Sequence, residues 1–461
     1  MEKHVVMSPT SCMGLVGIDD WAYDIALDKN LDTIASDAGS LDPGPHYLGT
    51  GLPHVAKYKM KNDCRIMMEG LLKRKTAMVM GSAGGSGGRS HIEWHLNIMD
   101  EVAREMNKKF KIAVIDTTLD KEYLKKRARE EVIEGLGHDQ PLTEELVENA
   151  TEIVAQIGVE PIISALEMEP DIVLAGRACD NACFAAEPVR RGFNKGLALH
   201  AGKILECGSA SAIALPTAKN MRTPMIATMQ DDFFIVEPAT DGWISTVRST
   251  AGHEAYERTD PFYQLEPGGV LDMRNSKISQ YNERAVKISG SAWIDDPVSY
   301  KVKLEGAEKV GYRSMFIAGA RDPAFLENID WIIDYTKRRM FDELEPQGLY
   351  EGKDYHLVFR IYGKNGVMGP LEPQKEITSH ELGIIMEVIA PTRELSHDIC
   401  YFGKYGLVWC NYPGRITISG SLAYAFSPSV IEGGEVYRLS VHHLLPIEDQ
   451  SLFEIKLVEV G

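Results

Sequence analysis

Five glycines fall within the eight residues 81–88. They lie between an apolar run, Thr76-Ala77-Met78-Val79-Met80, and a segment whose apolar residues Ile92, Leu96, Met99 and Val102 recur at helical spacing. Strand, glycine loop, helix is the order that turns backbone N–H groups toward an anion. The glycines let the main chain approach a ligand with no Cβ in the way. The loop is neither G-x-G-x-x-G nor a Walker sequence, because Arg89 and Ser90 follow the last glycine. It is therefore expected to cradle an anion or carboxylate through Ser82, Gly84, Gly85, Gly87, Gly88 and Arg89. The plainer alternative is a connector.

The same arrangement recurs. Strand-like runs at 32–36, 110–115 and 171–176 are each followed at once by a polar cluster: Asp37, Ser40 and Asp42; Asp116 and Asp120; Arg177, Cys179 and Asp180. If these strands are parallel, their carboxyl ends share one rim and the clusters face one cleft. The fold class expected is α/β. An N-terminal parallel-sheet, Rossmann-like domain covers 1–213, an α+β middle region 214–345 and a small α+β C-terminal domain 346–461. Helices are expected over 55–74, from the N-cap Thr143 to Gln156, from Asn181 to a stop at Pro188, and up to Gly208.

Residue types at the expected rim suggest acid–base work. Asp180 is the candidate general acid or base, since a carboxyl buried at a sheet rim rises toward neutrality. Arg89 and Arg177 are candidate clamps for a substrate carboxylate, with the glycine loop holding an anion or a developing enolate. His200, Lys203 and Cys207 line up on one helix face. Cys207 stands at the helix C-terminus, where a thiolate is disfavoured, so Cys179, just before a helix start, is the preferred nucleophile if a cysteine acts. His253 is a further possible acid or base.

Two further residue patterns bear on metal binding. His91 and His95 stand as H-x-E-x-H, not H-E-x-x-H, and read as surface or capping histidines. Asp37, Asp42, Asp116 and Asp180 offer oxygen ligands for Mg²⁺, Mn²⁺ or Ca²⁺ in a metal-assisted variant, and the cofactor stays open.

A net charge of −18 makes nucleic acid an unsuitable partner. No run of 18 apolar residues predicts a membrane span, and the N-terminus lacks a signal-peptide pattern. Seven cysteines, an odd number with no C-x-x-C, fit reduced thiols in the cytoplasm. The expected partner is a small carboxylate or acyl-CoA, and a homo-oligomer is the default for a chain of this size.

Several long stretches carry a resemblance: residues 37–45 with 47–51, Gly81 to Arg89 with His91-Ile92-Glu93-Trp94, residues 175–180, residues 202–208, residues 302–307 and residues 425–429. Together they resemble the acyclic terpene utilisation protein A (AtuA-like) family. The resemblance implies a cytoplasmic protein of catabolic gene clusters for citronellol-type terpenes, in pathways that run through branched acyl-CoA intermediates. It assigns no residue roles. Lyase or hydratase chemistry on a carboxylate or acyl-CoA, and a non-catalytic subunit of a multienzyme complex, both remain open under it.

Overall fold

Alternation of side chains builds the central sheet. The computed structural model describes residues 3–74, 76–137, 140–256, 258, 260–417 and 421–461. The first strands are β1 (His4–Ser8), β2 (Thr33–Asp37), β3 (Ala77–Gly81) and β4 (Phe110–Asp116). Val6, Ala35, Val79 and Ala113 point to one face; Met7, Ile34, Met78 and Ile112 point to the other. Both faces are buried, as near-continuous apolar runs require of parallel strands.

The chain divides into two compact units, Met1–Glu308 with Leu439–Gly461, and Lys309–Arg438. These borders do not coincide with the expected ones at 213 and 345. In the first unit, β5 (Ala150–Gln156), β6 (Ile172–Ala175), β7 (Met225–Met229) and β8 (Phe233–Pro238) follow. β1, β2, β3, β6 and β4 lie side by side in that order, all parallel. β7 and β8 extend this same sheet, antiparallel, beyond β1, so the sheet runs across the expected border at 213. The last strand, Glu454–Val460, closes the other edge against β4. The result is a mixed α/β fold with a ten-stranded sheet. Its parallel order differs from the 3-2-1-4-5-6 order of the dinucleotide-binding fold.

The helices sort by the direction of the crossovers. The steps β1 to β2 to β3 to β4 all advance across the sheet. Their helices α1 (Asp20–Leu27), α2 (Lys57–Lys73) and α3 (Arg89–Glu105) pack on one face. The step from β4 to β6 turns back. Its helices α4 (Lys121–Arg129) and α5 (Val159–Leu166) pack on the opposite face. So do α6 (Ala182–Arg190) and α7 (Lys195–Leu205), which follow β6. With right-handed crossovers, reversal of direction reverses the face. The loops leaving the neighbours β3 and β6 therefore go to opposite faces, which opens a crevice at their carboxyl ends.

Two expected helices differ. The helix after Thr143 ends at Asn149, and residues 150–156 are strand β5. β-branched Thr151, Ile153 and Val154 favour a strand, and β5 pairs with residues 303–308. Helix α6 continues through Pro188 to Arg190, where the Glu187 carboxylate gathers both Arg190 and Arg191.

The second unit packs helices Ile329–Leu344 and Arg393–Val408 on antiparallel strands His356–Tyr362, Leu382–Ala390 and residues 312–320. Ile332, Met340, Phe316 and Met386 lie in its core. Among the described residues, no helix is long and apolar enough to cross a membrane.

Candidate active site

At the crevice between β3 and β6, four of the expected residues meet. Arg177, just after β6, is almost wholly buried. Its Nη1 donates to Ser82 Oγ at 3.1 Å and to Asp180 Oδ1 at 2.9 Å; its Nε donates to Glu305 Oε2 at 2.8 Å. Burial disfavours the charged guanidinium, but Glu305 and Asp180 outweigh it and keep it protonated. Glu305 is likewise resisted by burial and held down by Arg177 and Lys303, to about 2. Lys303 Nζ lies 2.7 Å from Glu305 Oε1.

Asp37, at the end of β2, completes the group. It is buried; its Oδ2 accepts from the Gly39 N–H at 3.0 Å, and its Oδ1 has no hydrogen-bond partner among the described residues. Burial first, then the Asp180 charge, push its carboxyl well above the usual range, against the pull of Arg177. Asp180 itself is over a third exposed. Burial therefore acts strongly on Asp37, a carboxyl that the sequence offered only as a binding residue.

Cys179 does not have a nucleophile's environment. Its thiol donates to Glu266 Oε2 at 2.8 Å, and burial together with that carboxyl pushes it well above the ordinary thiol range. The helix-start argument fails because a neighbouring acid and exclusion of water outweigh a helix end. Glu266 also accepts from Asn181 Nδ2 and Gln264 Nε2, both at 2.6 Å, and burial raises its carboxyl too.

The glycine loop, residues 81–88, is buried, and the protein itself takes four of its N–H groups. The N–H groups of Ala83, Gly85 and Gly87 bond to backbone carbonyls, and that of Gly84 bonds to His95 Nδ1. Gly87 stands at φ +71°, and a Cβ there would lie 2.2 Å from the Arg177 N. A Cβ on Gly85 would lie 1.9 Å from His54 Nδ1. The glycines thus let the loop press against Arg177 and His54. The helix N-terminus does meet an anion, supplied by the protein: Glu152 Oε1 accepts from the Arg89 N–H at 3.0 Å, and a Gly88 Cβ would collide with Glu152 Oε2.

The other expected residues lie apart or in separate pairs. Arg89, largely exposed, pairs with Asp116 at 2.8 Å. Ser40 Oγ accepts from the Asp42 N–H in a surface turn, and Asp120 caps α4. His200 binds Ser291 Oγ at 2.5 Å and Glu254 Oε1 at 2.6 Å. One turn on, Lys203 pairs with Glu206, whose carboxyl burial pushes well upward despite Lys203. Cys207 Sγ meets Tyr256 Oη at 2.6 Å. His253 is buried and lowered by burial to about 4; Glu257, four residues on in the sequence, lies outside the described residues. His91 and His95 are buried, not surface residues, and turn to Leu52 O and to the loop respectively. Among the described residues no three His, Cys, Asp or Glu side chains are placed to hold a metal ion, and the four aspartates do not assemble.

Glu305, Lys303, Glu266 and Glu206 were missed as site residues. The alternation in Val302-Lys303-Leu304-Glu305 puts Lys303 and Glu305 on one strand face, so their pairing was legible. Their approach to Arg177 was not. Beside Glu266 opens a pocket of about 440 Å³ walled by Leu265, Val270, Ile294, Pro297 and Leu444, with Lys303 on its lining. A larger cleft of about 910 Å³ at His4, Asp32 and Ala77 lies at the amino ends of the strands, away from this chemistry.

These features define an α/β protein with a buried acid–base cluster at the carboxyl rim of a parallel sheet. The family model described as acyclic terpene utilisation family protein AtuA matches residues 60–415, and the chain belongs to that family. No match was found among curated proteins or solved structures.

Proposed function

We propose that this protein is a catabolic enzyme of acyclic terpene utilisation. In this reading it acts as a lyase or hydratase on a small carboxylate or branched acyl-CoA, with Asp37 and Asp180 as its acid–base pair. The observation that carries the reading is the contrast between these two carboxyls. Asp37 is buried and driven upward by burial and by Asp180. Asp180 is partly open and ion-paired with Arg177. Paired acids in unlike environments divide the roles of proton donor and acceptor.

In a dehydration, Asp180 takes the proton from the carbon beside the carbonyl. The C–O bond breaks, and Asp37 gives its proton to the departing hydroxide to form water. Hydration is the reverse. The apolar pocket beside Glu266 is the space this reading gives to an acyl chain. The reading also takes the protein to be a cytoplasmic homo-oligomer without nucleic-acid or membrane partners.

The test is turnover of branched enoyl-CoA, 3-hydroxyacyl-CoA and short hydroxy acids by the wild type, Asp37→Asn and Asp180→Asn. Each variant is expected to lose about 10²–10⁴ in kcat, the usual share of a positioned acid or base. Absence of wild-type turnover on every substrate would defeat the reading, and full activity in folded Asp37→Asn would remove Asp37 from it.

A further inference from the structure

The two arginines expected to clamp a substrate carboxylate are engaged by the protein's own acids: Arg89 by Asp116, Arg177 by Glu305 and Asp180. A third arginine is not. Arg258 lies between helix α8 (Val247–Ala255) and strand β9 (Tyr263–Glu266). Its Nη1 contacts the Met273 sulfur at 3.1 Å, a poor acceptor. Its Nε and Nη2 are shut from solvent, and neither has a hydrogen-bond partner among the described residues.

These two nitrogens form one edge of the guanidinium. Their N–H bonds run parallel and match the two oxygens of a carboxylate. A buried charge with its donors unmet is costly, and native structures keep such groups for a reason. Three acids are close enough to act on Arg258 electrostatically: Glu254, Glu206 and Glu266. Each is already engaged. Glu254 bonds to His200, Glu206 to Lys203, and Glu266 to Cys179, Asn181 and Gln264. The flanking elements hold further buried polar atoms without partners among the described residues, His253 Nε2 and Thr250 Oγ1 on α8 and Gln264 Oε1 on β9.

We propose that Arg258 is the anchor of a carboxylate-binding site, taking a monocarboxylate side-on through Nε and Nη2. The three surrounding acids decide between anions. They tolerate one incoming negative charge better than two, so a carboxylate is accepted and a phosphate dianion resisted. Arg258 as a whole is only part-buried, so the closed edge lies near the surface.

The test compares melting temperatures of the wild type, Arg258→Gln and Arg258→Lys in sodium 3-methylbutyrate, sodium phosphate and sodium chloride at matched ionic strength. It reads binding, not turnover, and so stands or falls apart from the acid–base reading above. The wild type is expected to gain stability saturably with 3-methylbutyrate and less with phosphate, while neither variant gains, because lysine keeps the charge but not the fork. Without ligand, Arg258→Gln is expected to melt at or above the wild type, since it removes a part-buried guanidinium whose Nε and Nη2 have no partner among the described residues. A 3-methylbutyrate shift unchanged in both variants would overturn the site. So would an Arg258→Gln protein that melts lower or does not fold, which would mean that the guanidinium holds the native structure together. A phosphate effect equal to that of 3-methylbutyrate would overturn the assignment to carboxylate.

Discussion

Arg177 Nε and Glu305 Oε2 meet at 2.8 Å with both side chains almost closed to solvent, although 128 residues separate them in the chain. The pair fastens the loop after β6 to the strand that pairs with β5. Arg177 in turn holds Ser82 and Asp180, so the geometry at the candidate site depends on this contact.

Breaking that pair is expected to be severe. Glu305→Gln leaves a buried guanidinium short of one acceptor charge, and loss of one partner of such a pair costs about 3–5 kcal/mol. The pH dependence follows from the depressed carboxyl. Glu305 is held at about 2, below the ordinary glutamate value of about 4.3. Its contribution is complete above the ordinary value and is lost as pH falls through about 2. Urea unfolding of wild type and Glu305→Gln at pH 7 and at pH 3 measures this. The gap between them is expected to narrow at the lower pH, and an equal gap at both would contradict it.

His95 gives a second pH signature. It is buried, and burial lowers it to about 4, while its Nδ1 accepts from the Gly84 N–H. An unfolded histidine titrates at about 6.5, so the folded form binds fewer protons between the two values. The stability from a neutral His95 is present above pH 6.5 and drains away as pH falls to 4, in all roughly 3 kcal/mol. His95→Gln is expected to flatten the dependence of the urea midpoint over that window. A variant as steep as the wild type would place the titration elsewhere.

Cys179 is expected to be inert. With its thiol donating to Glu266, iodoacetamide should leave it unlabelled in the native protein at pH 7, and Cys179→Ala should keep most turnover. Peptide mass spectrometry before and after unfolding in urea reads the first point. Rapid native labelling at Cys179 would restore the nucleophile.

The strand–loop–helix units were legible because buried parallel strands leave apolar runs, and polar clusters directly follow each run. Asp37, Ser82, Arg177 and Asp180 could be named from that pattern. Their unlike surroundings could not, since the environments of Asp37 and Asp180 depend on what packs over each. The glycine loop shows the same limit: spacing signalled a close approach of backbone, but not that the approaching groups are Arg177, His54 and Glu152. The unit borders were illegible for another reason. They fall at 308/309 and 438/439, inside strands Tyr300–Ala320 and Val430–Ile447, where no linker composition marks them.

By itself, then, the sequence determined most of the local elements, the burial of the core strands on both faces and the polar clusters that follow them, because periodicity and turn residues act over a few positions. Tertiary structure decided which polar groups meet: Arg177 with Glu305, Cys179 with Glu266, and Arg258 with its Nε and Nη2 unpartnered among the described residues. Charge pairing and the burial that shifts a proton depend on neighbours brought in from distant parts of the chain, and no local pattern records them.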